Sequence, residues 1–198
     1  MELNPVERLI VMNPLRSFLQ RAFEIPMLKR ISEGRIYNLC LEIGTGRGTG
    51  AIAIFKIFKP EKVIAIDIDP KNIERAKRLL RDELKERIDF RLGDAMALDF
   101  PDQTFDAVFS IGVIHHLEDW KKGIKEVSRV LKPSGDFFFE EPLKAFLESL
   151  PVRALTRHPE GGMFSLEEFK KVLEDAELYI KKIKTLNPIA IAGVARKG

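Results

Sequence analysis

The sequence lacks several features that define whole classes of protein. Cys40 is its only cysteine, which excludes an intrachain disulfide and a metal site built from several cysteines. No apolar run is long enough to span a bilayer, and residues 1–5 do not begin a secretory signal. Lysine and arginine number 33 against 30 acidic residues, too balanced to favour a nucleic-acid partner. We therefore expect a cytoplasmic protein with no transmembrane segment, no metal site and no nucleic-acid partner.

Short apolar segments alternate with amphipathic helical segments from residue 39 onward. The hydrophobic content of 45% supports a folded core in this chain of 198 residues. Nearly continuous apolar strands separated by helices indicate a parallel sheet covered on both faces. The predicted strands are residues 38–43, 62–67, 88–92, 105–111 and 136–140. The predicted helices are residues 51–58, 70–86 and 120–131, and residues 132–135 are predicted to turn.

The end of the chain shows a different pattern. Ser165 and Glu168 have the spacing of a capping box, which predicts a helix running to about residue 176. Residues 179–186 and 189–196 read as two strands with no helix between them, so they must pair antiparallel. The sequence therefore predicts an α/β fold with a seven-stranded sheet, in which five parallel strands are joined by an antiparallel C-terminal hairpin.

A glycine-rich turn follows the first predicted strand. Glu42 is followed by glycines at the alternate positions Gly44, Gly46 and Gly48. Glycines at a strand-to-helix turn allow a sharp bend and close approach of an anionic or nucleotide-type ligand. A P-loop is excluded because no Gly-Lys-Ser/Thr follows. The dinucleotide spacing fits only from Gly46 through Ala51, so an NAD-dependent oxidoreductase remains an alternative.

Two acidic residues follow the next two strands. Asp67 ends the second strand, where a carboxylate can accept hydrogen bonds from both hydroxyls of a ribose. Asp69 precedes Pro70 and is the better helix cap, which leaves Asp67 freer for a ligand. Asp94 follows the third strand and can accept from the exocyclic amine of a base. The alternative for Asp94 is a turn residue that caps its own loop.

Together these motifs resemble class I S-adenosylmethionine-dependent methyltransferases. The similarity is strongest to the small-molecule group that includes the ubiquinone and menaquinone enzymes, and it covers residues 39–140. Residues 105–108, 113–117 and 127–136 continue the resemblance after the glycine turn and the two acids. The resemblance implies a Rossmann-like fold, S-adenosylmethionine as cofactor and a small-molecule substrate. A non-catalytic binding module of the same fold is a second alternative.

The resemblance also implies roles for individual residues. The backbone at Gly44 and Gly46 would face the methionine part of the cofactor, and Glu42 would orient its amino group through water. Asp67 would hold the ribose hydroxyls. The remaining implied contacts are Ile68 packing on adenine, Asp94 and the Ala95 N–H binding adenine nitrogens, and the Ser110 and Ile111 backbone at the methionine end. Thr45 and Met96 belong to the same predicted cofactor-binding loops.

We expect a single methyltransferase domain, residues 1–198, with three parts, of which only the middle one carries the motifs of the resemblance. Residues 1–38 would form an N-terminal helical lid, and residues 39–140 the cofactor-binding core. Residues 141–198 would hold a lid segment, a helix and the hairpin. The lid segment is rich in apolar residues, which favours a small hydrophobic or aromatic acceptor: Phe146, Leu147, Leu150, Val152, Leu155 and Phe164.

Methyl transfer requires alignment, and a general base only when the acceptor must lose a proton. His115 and His116, after the fourth strand, are the candidate catalytic residues, because histidine titrates near neutral pH. Glu140 and Glu141, after the fifth strand, are further candidates at the same edge. The alternative is that a histidine caps the loop or lines the cofactor site. The Asn/Asp-Pro-Pro-Tyr/Phe motif of amino-methylating enzymes is missing after the fourth strand.

Overall fold

One seven-stranded sheet organises the protein. The computed structural model describes residues 23–149, 162–186 and 188–198. The strand order is β3-β2-β1-β4-β5-β7-β6, with β1 to β5 parallel and β7 antiparallel to both β5 and β6. The strands are β1 (Leu39–Ile43), β2 (Lys62–Asp67), β3 (Ile88–Leu92), β4 (Phe105–Ile111), β5 (Leu131–Pro142), β6 (Leu178–Leu186) and β7 (Ala190–Lys197). The predicted fold, five parallel strands with an antiparallel hairpin, is confirmed.

Helices pack on both faces of this sheet. They are α1 (Ile25–Ile31), α2 (Thr49–Phe58), α3 (Pro70–Leu79), α4 (Trp120–Val130), α5 (Lys144–Leu147) and α6 (Leu166–Asp175). Phe137 and Phe139 of β5 belong to one apolar core, with α4 and α6. Phe138 points to the other core, with α1 and α2, and stacks on Phe109 at 4.8 Å between ring centroids. In the part of the chain described by the structure, no helix is long and apolar enough to cross a membrane.

Side-chain caps begin two of the helices as the sequence indicates. The Asp69 carboxylate accepts a hydrogen bond from the Lys71 N–H at 2.8 Å, and Pro70 follows in the first turn of α3. Ser165 and Glu168 form the reciprocal capping box of α6. These caps place the two helices because each satisfies backbone N–H groups that a helix leaves without partners.

Two predicted element boundaries are wrong. The helix expected over residues 70–86 ends at Leu79, and a separate 3₁₀ turn, Asp82–Leu84, carries Leu84 into the core beneath β3. Residues 132–135, expected to turn before the fifth strand, lie inside β5. Leu131 already pairs with Phe105, and the register shifts before Asp136 pairs with Ala107, so these residues form a bulge within the strand.

Near the amino ends of the strands, a buried acid connects the segment before β1 with β7. Asp136 is fully buried and accepts hydrogen bonds from the Tyr37 hydroxyl at 2.6 Å and from Arg196 Nε at 2.8 Å. Arg35 Nε lies 3.2 Å from the same carboxylate. This network ties the segment before β1 to β5 and β7. It also raises the pKa of the Tyr37 hydroxyl, chiefly through burial and the bond to Asp136.

The strand order reverses at β1, which lies between β2 and β4. In an open α/β sheet, the connections leave such a strand toward opposite sides and create a crevice at the carboxyl ends. The glycine turn after β1 and the loop after β4 meet at this crevice. The fold therefore concentrates the chemistry-bearing residues of the sequence at one edge.

Candidate cofactor and active site

The glycine turn joins β1 to α2 and needs glycine at Gly44 and Gly46 for different reasons. Both adopt positive φ, +68° at Gly44 and +55° at Gly46. A Cβ atom on Gly44 would lie 2.4 Å from Val113 Cγ2, so the loop after β4 fills that space. A Cβ atom on Gly46 would meet nothing within 4 Å. The open side of the turn, where a ligand can approach the backbone, is therefore at Gly46.

Glu42, at the end of β1, places a buried carboxylate behind this turn. Its side chain is 2% exposed, and the Thr45 hydroxyl donates a hydrogen bond to it. Burial raises the pKa of Glu42 to about 8, opposed by hydrogen bonds from Thr45 and the Ala51 backbone, while the nearby negative charge of Asp67 raises it further. A cationic ligand group would stabilise the ionised form of this buried acid, because the positive charge offsets the solvation that the carboxylate lost on burial.

Asp67 ends β2 and braces the glycine turn. One oxygen, Oδ2, accepts a hydrogen bond from the Gly46 N–H at 2.8 Å. The other, Oδ1, accepts from the Asp69 N–H at 2.9 Å and from Asn72 Nδ2 at 3.2 Å. Three of the roughly four acceptor positions of the carboxylate are thus already used, and the remaining capacity lies on Oδ2. Asp69 caps α3 as expected, but Asp67 is less free than the sequence suggested.

An apolar shelf lies beside Asp67. Ile68 is 56% exposed, and Leu92, which pairs with Asp67 in the sheet, is 63% exposed. A large apolar side chain exposed at a strand end is suited to the face of a planar ring. Ile68 was predicted from the sequence to pack on adenine, whereas Leu92 was not. The position of Leu92 immediately before Gly93 and Asp94 was the available signal.

Asp94 lies in the turn after β3 and is partly exposed. Its Oδ1 accepts a hydrogen bond from the Met96 N–H at 2.8 Å, so it does cap its own turn. The other carboxylate oxygen remains able to accept from a ligand. Ala95 is buried beside it, and Gly93 N–H donates to the Asp67 carbonyl at 3.0 Å, which holds the two acidic loops together.

The loop after β4 is organised around Glu141 of β5. This carboxylate is fully buried. Its Oε1 accepts from the Ser110 hydroxyl and from the Val113 and Ile114 N–H groups at 2.9–3.0 Å. Its Oε2 lies 2.7 Å from His115 Nδ1. Glu141 therefore holds the loop that carries both candidate histidines, a role that the sequence alone did not reveal.

The two histidines differ in their surroundings. His115 is 6% exposed and contacts Glu141, whereas His116 is half-buried. Their ring centroids lie 4.0 Å apart. Gly162 packs against the His115 backbone, since a Cβ atom there would lie 2.4 Å from the His115 carbonyl oxygen. The structure thus brings both predicted catalytic residues to the crevice and buries one of them.

The residues of the predicted lids are only partly described. Residues 1–22, and with them most of the expected N-terminal lid, lie outside the described residues, as do Leu150, Val152 and Leu155. Phe164 is buried and packs on Trp120 at 4.6 Å between ring centroids. Leu147 is buried as well, while Phe146 is 37% exposed. Phe164 and Leu147 therefore serve the core, and Phe146 alone of these three presents apolar surface.

Comparison with known proteins places this architecture in a family. Residues 41–139, half of the chain, match the family described as "Methyltransferase domain". The chain is 34% identical over 146 residues to the 27-O-demethylrifamycin SV methyltransferase of Amycolatopsis mediterranei, a match covering 70% of this chain and 53% of that protein. It is 36% identical over 97 residues to the demethylmenaquinone methyltransferase of Bacteroides fragilis, covering 48% and 39%. The chain thus spans about half the length of these curated relatives, or less.

A solved structure of a geranyl diphosphate methyltransferase in complex with S-adenosylmethionine has the same fold. It superposes with a TM-score of 0.78 at 16% sequence identity, over 98% of this chain and 90% of that one. The family assignment rests on the match of residues 41–139, and the superposition extends the similarity of fold to the C-terminal hairpin. The motif order, the sheet topology and the family match agree: this chain belongs to the class I S-adenosylmethionine-dependent methyltransferases.

Proposed function

We propose that this protein transfers the methyl group of S-adenosylmethionine to a small acceptor that is hydrophobic or aromatic. The observation that carries the proposal is the convergence of the glycine turn, Asp67 and the loop after β4 on one crevice within a methyltransferase fold. The dinucleotide alternative loses support, because the family match covers the glycine turn itself.

The residues at the crevice suit the parts of the cofactor. The backbone at Gly46 and Gly44 would meet the methionine end, with the Ser110 and Ile111 backbone on the other side. Glu42, behind the turn, would act on the ammonium group, as its raised pKa favours a cationic partner. Asp67 would accept from the ribose through Oδ2, where its remaining hydrogen-bonding capacity lies.

The adenine end has its own partners. Ile68 is exposed in a position suited to the ring face, and Leu92 adds a second apolar side chain at the same strand ends. Asp94 would accept from the exocyclic amine, and the Ala95 N–H would donate to a ring nitrogen. Thr45 supports Glu42 rather than the ligand, because its hydroxyl is engaged by the Glu42 carboxylate.

Apolar surface near the crevice supports the acceptor class. Phe146 of α5 is 37% exposed, and Leu186 and Ile189, at the tip of the hairpin, are 64% and 39% exposed. The Leu143 N–H donates to the Ile189 carbonyl at 2.8 Å, so the hairpin tip lies against the segment leading into α5, at the carboxyl end of β5. Two matched proteins are named for a rifamycin and a demethylmenaquinone, which agrees with such a surface.

The reaction asks little covalent chemistry of the protein. S-adenosylmethionine, when bound, supplies a methyl group already activated by its sulfonium. The crevice then aligns the acceptor and excludes water. In favourable cases, correct alignment alone lowers the activation barrier by on the order of 7–11 kcal/mol. His115 or His116 would take a proton from an acceptor that must lose one.

Calorimetric titration with S-adenosylhomocysteine tests the cofactor assignment. We expect micromolar binding, loss of binding in Asp67→Ala, and unchanged binding in Asp82→Ala, an exposed acid on the 3₁₀ turn after α3. Tighter binding of NAD than of S-adenosylhomocysteine would overturn the proposal.

A second experiment tests the acceptor. Purified protein and radiolabelled S-adenosylmethionine are incubated with a matched panel of phenols, hydroquinones, fatty acids and hydrophilic amines. We expect label in the hydrophobic or aromatic members. Transfer confined to the hydrophilic amines would contradict the acceptor class. Tight cofactor binding with no transfer to any member would favour the non-catalytic binding module.

A further inference from the structure

One side chain of α4 holds the segment that connects β3 to β4. Arg129 lies in the last turn of α4, and its guanidinium uses all five of its N–H donors. Nη1 donates to the Phe100 carbonyl and to Asp102 Oδ1, and Nη2 donates to the Leu98 carbonyl, each at 2.8 Å. The other two N–H groups bind the Glu126 carboxylate, also at 2.8 Å. This planar side chain therefore fixes three residues of the connecting segment relative to α4.

Glu126 adds a second hydrogen bond to Leu98. Its Oε2 accepts from the Leu98 N–H at 2.8 Å, so Glu126 and Arg129 together bind both backbone groups of one residue. The hydrogen bonds from Arg129 hold the pKa of Glu126 below its ordinary value, which keeps the carboxylate charged at neutral pH. Leu98 is only 4% exposed, and water is a poor substitute for partners lost at a buried backbone group. The pair of charged side chains thus sets the position of Leu98.

Leu98 directly follows the turn that carries Asp94. The Ala97 N–H donates to the Asp94 carbonyl at 3.1 Å, and these two residues form an isolated antiparallel bridge. The turn therefore begins at Asp94 and closes one residue before Leu98. Helix α4 also contacts the turn from beneath, because a Cβ atom on Gly123 would lie 3.8 Å from the Ala95 carbonyl oxygen. A shift of Leu98 would consequently move the turn and its carboxylate.

We propose that Arg129 is a positioning residue that acts through Leu98 on the Asp94 turn, and that it sets how strongly the protein prefers adenine to hypoxanthine. A carboxylate oxygen accepts a hydrogen bond from the exocyclic amine of adenine, whereas it repels the carbonyl oxygen that hypoxanthine carries at the same place. This selection requires Asp94 to be held in place. The proposal rests on the proposed function, which puts adenine at Asp94. The alternative is that Arg129 stabilises the fold and has no effect on ligand preference.

Calorimetric titration with two ligands tests the proposal. S-adenosylhomocysteine and S-inosylhomocysteine differ only in the purine, where a carbonyl replaces the amine and the neighbouring ring nitrogen gains a hydrogen. We expect the wild type to bind the adenosyl ligand at least about tenfold more tightly, the effect of one hydrogen bond to a charged group. In Arg129→Ala the adenosyl ligand should lose about tenfold in affinity and the inosyl ligand less than about threefold, so that the preference disappears.

This unequal loss separates positioning from a general loss of stability. Unfolded molecules bind neither ligand, so a smaller folded fraction weakens both affinities by the same factor and leaves their ratio unchanged. An adenine preference in Arg129→Ala equal to that of the wild type would therefore overturn the proposal. Arg78→Ala is the matched control, because Arg78 is 79% exposed on α3 and pairs only with Glu74 in the part of the chain that the structure describes. It should leave both affinities unchanged.

Two further variants keep the test decisive. Asp94→Asn should reverse the preference, because its amide can donate to the carbonyl of the inosyl ligand. Arg129→Lys serves if Arg129→Ala does not fold. A lysine ammonium lacks the rigid fork that binds the Leu98 and Phe100 carbonyls together, so the preference should fall at least about threefold. A folded Arg129→Lys protein with the wild-type preference would overturn the proposal.

The outcomes for the wild type distinguish this proposal from the proposed function. No binding of S-adenosylhomocysteine would refute both. Binding without preference for adenine would keep the function, and would refute the contact of Asp94 with the amine together with the role of Arg129. A preference that is lost in Asp94→Asn but kept in Arg129→Ala would refute the role of Arg129 alone.

Discussion

Val113 occupies the space that any side chain at position 44 would need. The Cβ atom of an alanine at Gly44 would lie 2.4 Å from Val113 Cγ2 and 2.6 Å from Cγ1. These two residues belong to different loops, one after β1 and one after β4. The two loops are thus packed directly against each other at the crevice where the strand order reverses.

Gly44→Ala should therefore destabilise the protein by about 3 kcal/mol, combining the strain of a positive φ with overpacking against Val113. Urea unfolding measures the loss. Val113→Ala removes the clash, so the double variant should recover the overpacking part and keep the strain. Strictly additive effects in this double-mutant cycle would contradict the direct packing of the two residues.

Gly46→Ala offers a matched comparison, because its φ of +55° is strained for alanine but its side chain meets open space. We expect a loss of only about 1 kcal/mol in unfolding free energy. Binding of S-adenosylhomocysteine should fall at least tenfold, since the new methyl group projects from the open side of the turn. Full affinity in this variant would mean that the cofactor does not approach the backbone there.

Glu42 should make the stability of the ligand-free protein depend on pH. Its pKa is raised in the folded protein to about 8, above an unfolded value near 4.5. The folded state then holds this proton more tightly than the unfolded state. The contribution of Glu42 to the free energy of unfolding is therefore at its full value below pH 4.5 and is lost as the pH rises through 8. Urea midpoints measured from pH 6 to 9 should fall in the wild type and fall less in Glu42→Gln.

The same group should link proton release to cofactor binding. At pH 7 a Glu42 with a pKa near 8 is mostly protonated, and the ammonium group of S-adenosylhomocysteine favours the carboxylate. Binding should thus release protons and tighten as the pH rises from 6.5 to 8. Calorimetry in buffers of different ionisation enthalpy counts these protons. Glu42→Gln should bind more weakly and release none; equal release in this variant would assign the protons elsewhere.

The buried network around Asp136 makes a prediction about stability alone. Removing the carboxylate in Asp136→Ala leaves the Tyr37 hydroxyl and Arg196 without their acceptor, and breaking a buried pair costs roughly 3–5 kcal/mol. Tyr37→Phe removes one hydrogen bond and should cost about 1–2 kcal/mol. Cofactor affinity should be unchanged in Tyr37→Phe, because the network lies at the opposite edge of the sheet.

The sequence was most informative where local chemistry decides the structure. The bounds of β2, β3 and β4 agree with the predicted strands, because each is a short run with buried apolar residues, bounded by charged or turn-forming residues. Asp69 and Pro70 placed the start of α3, since a cap acts within its own turn. The end of that helix was missed. After that end, the chain turns so that Ile88 can pair with Val63 of β2, a contact between residues distant in the sequence that no local pattern shows.

Contacts between distant loops were beyond the sequence. Glu141 could be named as an acid at the right edge, but the four donors that bind it come from the end of β4 and the loop after it, more than 25 residues away. Likewise, nothing in the pattern around Asp67 shows that Gly46 and Asn72 already occupy its carboxylate. The sequence therefore predicts which residues lie at the crevice, whereas the hydrogen bonds among them depend on the assembled fold.

The position of β7 between β5 and β6 has a consequence for synthesis on the ribosome. Every residue assigned to the cofactor lies before residue 142, yet among the described residues the outer side of β5 pairs only with residues 190–197, which emerge later. Until then, the edge of β5 is open to pairing with other chains. A nascent chain is thus vulnerable to misassembly after its cofactor loops are complete and before β7 has emerged, and early arrival of the cofactor could not close that edge.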